Sequence, residues 1–405
     1  MKIALFTDTF APLVDGVVTS TVNLAKNLAD RGNKIYIIAP NFNKKFKEFK
    51  YHNIKVKRIY SLPAFFYSGY RFTYPFSFKI LKYLKKEKVE LIHFQTPVIL
   101  GLQAILISKI LKLPLVGTFH TFFTNADYLK HIKMDYKSVE NMAWFYARAY
   151  YNKCDLVTCP SEQTKKELLK HGFKKQIKVI SNGIDLRIFK NSKYVYTKKK
   201  YNKDSKCLLF VGRVAHEKNL KYLIDCFKLV SKKLPEIKLL IVGDGPQMGE
   251  LKEKIKSSGI SNKVILARAI EHEKLIKSSI FKDSSLFITA SVTETQGITL
   301  LEAQANGLIC VGINAGGIKD LIKNGYNGYL VENGDKQKFA DRVIKLLKDK
   351  KLYVKMKKNT LKEIKKHKIE KVVDSWEEEY SRLINLFKNK SKVYHEEHIP
   401  PRKSF

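Results

Sequence analysis

Residues 291–307 read S-V-T-E-T-Q-G-I-T-L-L-E-A-Q-A-N-G, and this stretch decides the fold. Ahead of it, residues 284–290 (S-S-L-F-I-T-A) form the short apolar run that a buried parallel strand presents. After Gly297 the apolar residues recur at helical spacing. Strand, glycine turn and helix in that order make up one unit of a doubly wound sheet. The turn aims the N–H groups of Gly297, Ile298 and Thr299 at the carboxyl edge of the sheet. The positive end of the helix dipole points the same way, so an anion can bind there. Glu294 stands on the turn, and Glu302 lies eight positions later. Around a nucleoside diphosphate, carboxylates so spaced can accept hydrogen bonds from hydroxyls on either side, a sugar ring for Glu294 and a ribose for Glu302. Two ordinary surface glutamates are the alternative, and the rest of the chain decides between them.

Working outward, the same alternation fills the second half of the chain. Residues 206–212 (K-C-L-L-F-V-G) read as a first strand, 213–220 as its loop and helix start, and 237–246 as the next strand and turn; 263–266, 286–289 and 308–313 follow as further strands. The first half repeats the scheme. Residues 2–6 and 34–40 are strands around a helix over 18–30, with Gly16 in the intervening loop where a phosphate or sugar can approach the backbone. Residues 89–94, 114–120, 155–160 and 178–185 continue the strands, with helices over 97–111, 136–152 and from Ser161. His120 therefore ends a buried strand, where open α/β sheets bind ligands. The spacing gives an N-terminal lobe over 1–189, a lysine-rich linker over 190–206 and a C-terminal lobe over 207–368. A helix within 369–390 packs back across both lobes, and a polar tail covers 391–405. Two Rossmann-like lobes face each other across a cleft.

The 405 residues, 44% of them apolar, suffice for two cores. No secretory leader is expected at the start, and the apolar tract over 97–107 is too short to span a bilayer. Five cysteines without a C-x-x-C pair predict buried thiols in a reducing cytosol. A formal net charge of +38 attracts polyanions. The basic residues are scattered and overwhelmingly lysine, while arginine, the usual reader of base edges, is scarce, so the expected partner is an anionic membrane surface and not nucleic acid. Residues 60–84 are dense in aromatics and run into Lys79, Lys82, Lys85 and Lys86. Rings at headgroup level beside lysines on anionic lipid would dock a membrane; an aromatic loop packed on its own lobe is the alternative.

Arg213 and Lys218 flank the first turn of the second lobe, where two cations can neutralise a diphosphate leaving group. The sequence contains no Asp-x-Asp triplet to hold a divalent metal on such a group. No metal is therefore expected.

These segments resemble the retaining glycosyltransferases of family 4, which have the two-lobed GT-B fold. The resemblance is carried by G-R-V-A-H-E-K-N-L at 212–220, E-T-Q-G-I-T-L-L-E-A-Q-A-N-G at 294–307, G-T-F-H-T at 117–121, S-N-G-I-D at 181–185 and T-D-T-F-A-P-L-V-D-G-V-V at 7–18. E-T-Q-G in place of E-G-F-G, with the stretch H-T-F-F-T-N-A-D-Y-L, is similar to the branch that glycosylates diacylglycerol. The resemblance implies a donor site of Gly16, Arg213, Lys218, Glu294, Thr295, Gln296, Gly297, Ile298, Thr299 and Glu302, with His120 and Glu294 at the transferred sugar. It also implies a UDP-sugar as co-substrate without a further cofactor, transfer of glucose or galactose to diacylglycerol with retention, and work at the cytoplasmic face of the cell membrane. A lipopolysaccharide core, phosphatidylinositol or a soluble sugar remain alternative acceptors. Asn306 to Ile309 depart from the small residues and proline usual there.

Overall fold

The computed structural model describes residues 1–13, 15–42, 46–63, 71–122, 136–189 and 206–397. In chain order the first lobe runs β1 (Lys2–Phe6), α1 (Gly16–Asp30), β2 (Lys34–Pro40), β3 (Ile54–Ile59), the antiparallel pair β4 (Ser61–Pro63) and β5 (Arg71–Thr73), and α2 (Phe78–Glu87). It continues with β6 (Leu91–Phe94), α3 (Ile99–Leu111), β7 (Leu115–Thr118), α4 (Tyr136–Tyr151), β8 (Leu156–Cys159), α5 (Glu162–Lys170) and β9 (Ile177–Val179). Its seven-stranded parallel sheet has the order β3-β2-β1-β6-β7-β8-β9. The second lobe runs β10 (Cys207–Val211), α6 (Leu220–Lys233), β11 (Lys238–Val242), α7 (Met248–Ser257), β12 (Val264–Leu266), α8 (His272–Lys277), α9 (Ile280–Asp283), β13 (Leu286–Ile288) and α10 (Ile298–Ala305). Then come β14 (Ile309–Ile313), α11 (Ile318–Leu321), β15 (Gly328–Val331), α12 (Lys336–Lys348) and α13 (Lys350–Glu363), around a six-stranded parallel sheet ordered β12-β11-β10-β13-β14-β15.

Helices cover both faces of each sheet, so the central strands carry apolar residues without alternation: all five residues of β10 and all four of β6 are buried. The strand order of each sheet reverses beside its first strand, between β1 and β6 and between β10 and β13. A crevice opens at the carboxyl ends of the strands at such a switch point. Gly16, His120, Arg213, Lys218 and Glu294 all follow the carboxyl end of a strand.

Three sequence expectations change. Helix α1 starts at Gly16, two residues early, because Asp15 caps it: its Oδ1 accepts from the Val18 N–H at 2.8 Å. The last helix, α14 (Ile369–Glu397), is longer than expected and takes in the first seven residues assigned to the tail. It also does not spread its apolar face across both lobes. Val372, Val373, Trp376, Tyr380, Leu383 and Ile384 join Ile3, Leu5, Leu24 and Leu28 in the core of the first lobe. The chain thus closes that lobe twice, with β1 at one end of the sequence and α14 at the other. Near residue 368 it passes between lobes on two backbone bonds, Ile184 N–H to His367 O (2.8 Å) and Ile369 N–H to Ile184 O (3.0 Å). All five cysteines are buried and unbridged, as expected. Residues 190–205 of the expected linker lie outside the described residues, as do 64–70 of the aromatic stretch and the aromatic run beyond Phe122.

Candidate active site

Glu294, Lys218 and Arg213 come together because β10 and β13 are neighbours. Lys218 closes a short 3-10 turn (His216–Lys218) after β10, and Ser291 Oγ, on the loop after β13, donates to Glu217 O at 3.1 Å. That bond holds the two loops against each other, and Lys218 Nζ then donates to Glu294 Oε1. Both side chains are 18% exposed, so the pair is half withdrawn from water and screened less than a surface pair. The cation expected to face a diphosphate is thus paired with its neighbouring carboxylate.

Gly297 adopts φ 89°, a left-handed conformation that favours glycine, and from it α10 departs. The N–H groups of Gly297, Ile298 and Thr299 make no hydrogen bond to another described backbone carbonyl. Across the cleft stands the start of α1. A Cβ built on Gly16 would meet the Ile298 side chain (Cδ1) at 3.9 Å and nothing nearer, so the first residues of α1 and α10 lie close to each other. Two helix N-termini converge there. Arg213 lies beside the same gap, close enough to lower the Asp15 carboxyl pKa, although desolvation acts more strongly and leaves it raised. The start of α10, Arg213 and Lys218 put positive potential on this gap, offset in part by the Asp15 and Glu294 carboxylates.

Thr295 and Gln296 use their side chains differently from a donor contact. Thr295 Oγ1 donates to the His120 carbonyl at 2.7 Å, and Thr295 O accepts from Ser161 Oγ (2.5 Å) and Thr164 Oγ1 (3.0 Å). Gln296 Oε1 accepts from the Asn182 N–H (2.9 Å) and Nδ2 (3.0 Å), while its Nε2 donates to Ser181 Oγ (2.8 Å). Both side chains, and the Thr295 carbonyl with them, clasp the first lobe. A Cβ on Gly317 would sit 1.9 Å from Thr295 O, so no larger residue fits under the clasp.

His120 follows β7, with its Nε2–H donating to Gln95 Oε1 at 2.7 Å. Gln95 Nε2 lies 3.1 Å from the buried His93 ring, whose Nδ1 is 2.7 Å from Tyr380 Oη on α14 and whose Nε2 is 2.7 Å from Thr118 Oγ1. Burial pushes the His120 pKa down to about 4, so the ring is neutral at physiological pH and Nδ1 presents a lone pair. Sequence reasoning missed Gln95, which becomes a partner only because β6 and β7 pair.

Glu302, in the second turn of α10, is 2% exposed. One carboxylate oxygen takes the His272 Nε2–H at 2.5 Å; the other, Oε2, is buried and has no partner among the described residues. A carboxylate oxygen without a donor is costly in a low-dielectric setting, and a hydroxyl-bearing ligand would supply one. His272 also escaped the sequence reading, because it lies 30 residues from Glu302 with no local pattern to mark it.

Known proteins match this architecture across nearly the whole chain. A family model described as Glycosyltransferase Family 4 covers residues 14–188, and one described as Glycosyl transferases group 1 covers 196–363. The chain is 33% identical over 315 residues to an alpha-monoglucosyldiacylglycerol synthase of Streptococcus pneumoniae, covering 76% of this chain and 70% of that protein. It is 26% identical over 343 residues to one of Acholeplasma laidlawii (81% and 84%), and 27% identical over 391 residues to N-acetyl-alpha-D-glucosaminyl L-malate synthase of Bacillus anthracis (93% and 97%). Among solved structures, Anabaena HepE in complex with UDP and glucose superposes with a TM-score of 0.72 at 19% identity, covering 95% of this chain and all of that one. With its two parallel, doubly wound sheets, the two family models over 14–188 and 196–363 and a relative at 33% identity, the chain belongs to the family 4 glycosyltransferases of GT-B fold.

Proposed function

We propose that this enzyme moves a hexose, glucose or galactose, from a UDP-sugar to diacylglycerol with retention of configuration. The observation that carries the donor half is the bare, buried Glu302 Oε2 eight positions from the Lys218–Glu294 pair. A nucleoside ribose on Glu302, a diphosphate between the starts of α1 and α10, and a sugar between Glu294 and His120 satisfy each group in turn. Arg213, Lys218 and the backbone from Gly297 to Thr299 take the phosphates, and Gly16 leaves room for them. His120, held by Gln95, accepts a sugar hydroxyl at Nδ1. Among the described residues we assign no side chain as a nucleophile. Transfer therefore runs on the front face: the acceptor oxygen bonds to the anomeric carbon as the diphosphate leaves, and a phosphate oxygen takes the acceptor proton. The protein positions the reactants and stabilises charge.

The acceptor half rests on the two alpha-monoglucosyldiacylglycerol synthases and on the surface of the first lobe. Tyr60, Leu62, Tyr74 and Phe78 around the β4–β5 pair, Ile110 on α3, and Met142 and Phe145 on α4 are all exposed. Gln103 Nε2 on α3 donates to Tyr74 O at 2.5 Å, so α3 links the hairpin to α4 on one side of the lobe. Exposed Lys79, Lys82, Lys85 and Lys86 project from α2, which buries Ile80 and Leu84. Helix α4 also turns Glu140 and Trp144 toward a cavity of about 150 Å³ shared with Val292 and Thr293 of the second lobe. It thereby spans from the apolar face to the neighbourhood of Glu294. A lipid can reach the site along it while its chains stay in the bilayer. Among the described residues no helix is long and apolar enough to cross a membrane.

The deciding assay incubates purified protein with each labelled UDP-hexose and diacylglycerol vesicles and separates the lipid products. Absence of a labelled glycolipid with every UDP-hexose overturns the proposal. Vesicle binding is expected to rise with anionic lipid and to fall, incompletely, with salt. Each lysine near such a surface contributes about 1 kcal/mol that salt screens, whereas inserted rings do not feel the salt. Neutralising Lys79, Lys82, Lys85 and Lys86 together should weaken vesicle binding in sedimentation assays but leave UDP affinity unchanged. Equal vesicle binding by that variant would move the docking surface elsewhere. Transfer is also expected to survive EDTA, since Arg213 and Lys218 supply the positive charge that a divalent ion would otherwise bring. Loss of activity in EDTA that magnesium or manganese restores would contradict this.

A further inference from the structure

We propose that His272 is a positioning residue for the donor nucleotide, fixing the Glu302 carboxylate so that Oε2 alone receives the ribose hydroxyl. The inference rests on the nucleotide-sugar reading above and adds to it a residue that touches no substrate. Its basis is the unequal treatment of the two carboxylate oxygens. Oε1 is engaged by the His272 Nε2–H at 2.5 Å, and a carboxylate can only accept, so the proton belongs to that ring nitrogen. Oε2 is buried without a donor among the described residues. A free carboxylate rotates about its last torsion, which is broad and roughly two-fold, and without an anchor it would present either oxygen or neither. His272 removes that freedom.

Position and charge agree with this role. His272 opens α8, after β12, and reaches across to α10. The imidazole is 30% exposed at the cleft while Glu302 is 2% exposed, so the histidine stands between the carboxylate and water. Burial pushes the His272 pKa down, but the hydrogen bond and charge of Glu302 raise it by more. The ring is therefore partnered to the carboxylate in either protonation state. Glu302 O is already engaged by Asn306 Nδ2 at 2.9 Å, which fixes the backbone beneath. The orientation of the carboxylate itself is left to His272.

The test is isothermal titration of the full-length parent, His272→Ala and His272→Gln with UDP, GDP and ADP. The tightest nucleotide is then compared with its 2′-deoxy and 3′-deoxy counterparts. The parent should prefer the ribonucleotide to the weaker deoxy form by about tenfold or more, the value of one hydrogen bond to a charged group. In His272→Ala the ribonucleotide should weaken by a similar factor while the deoxy form barely changes, so the preference falls to about twofold or less. Glutamine, whose amide N–H can reach the same oxygen, should restore most of it. A general loss of structure would weaken both nucleotides alike, and glutamine would not selectively restore the preference. Unchanged preference in His272→Ala, or tighter binding because the ring had been blocking the ribose seat, overturns the inference while leaving the donor site intact. Failure of the parent to bind any of the three nucleotides would instead overturn the reading on which it rests.

Discussion

Reversing the charge at Lys218 with Lys218→Glu is expected to lower kcat/KM by about a thousandfold or more while leaving the fold intact. Lys218 Nζ rests on Glu294 in a site where both side chains are 18% exposed. The substitution replaces an attraction by a repulsion between two carboxylates, beside the gap proposed for the diphosphate. Unit charges about 4 Å apart interact by about 4 kcal/mol at the effective dielectric of such a position, which alone corresponds to roughly a thousandfold. The incoming phosphates meet the same repulsion. Lys218→Met, which removes the charge without reversing it, should cost less, about a hundredfold, the order lost when one preorganised donor is deleted from a transition-state site. The turn it sits on is held by Ser291 and by the backbone bond from Lys218 N–H to Ala215 O (3.0 Å), neither of which needs the ammonium. The circular-dichroism melt should therefore shift little. Activity of Lys218→Glu within tenfold of the parent would remove Lys218 from the site.

Trp376→Ala is expected to produce the largest loss of stability of any single change outside the site, about 3–5 kcal/mol. The indole is 5% exposed in the core of the first lobe, with its ring 5.0 Å from His93 and 5.2 Å from Tyr380. Its removal leaves a cavity between α14 and the sheet, and the surrounding helix can collapse into it only partly. Against a typical stability of about 5–15 kcal/mol this is a large fraction, and the melting transition of the first lobe should fall by roughly 6–20 °C. The second lobe has its own core and should melt nearly unchanged, so calorimetry distinguishes the two. Turnover should fall as well, because Tyr380 on the same helix is 2.7 Å from His93, and His93 and Gln95 together orient His120. Leu386→Ala, on the same helix but 45% exposed, should stay within about 0.5 kcal/mol of the parent. If both variants melt alike, α14 is not part of the first lobe's core.

What could be read from the sequence and what could not divides along the range of the interactions. The strand, turn and helix around Gly297 were legible because burial period, glycine conformation and helix start depend on residues within one another's immediate reach. The buried runs of β1, β6, β10 and β13 were legible for the same reason, and with them the crevice and the places of Glu294, His120, Arg213 and Lys218 at strand ends. Helix α14 was visible as an amphipathic helix, yet an apolar stripe does not say which surface it meets. Only the packed core assigns it to β1 and α1 instead of to both lobes. Thr295 and Gln296 share the local sequence of the loop after β13, yet the Gln296 side chain turns to Ser181 and Asn182, the Thr295 side chain to His120 O, and the Thr295 carbonyl to Ser161 and Thr164 only because the lobes meet there. His272 and Gln95 carry no local mark at all. Their roles come from strand pairing and helix placement, which bring residues 30 and 25 positions away to Glu302 and His120. Local periodicity determined the elements and the edge on which the chemistry sits. Long-range packing decided which side chains hold the candidate site groups still, because a hydrogen bond needs a partner within about 3 Å and sequence spacing says nothing about that distance once the chain has turned back on itself.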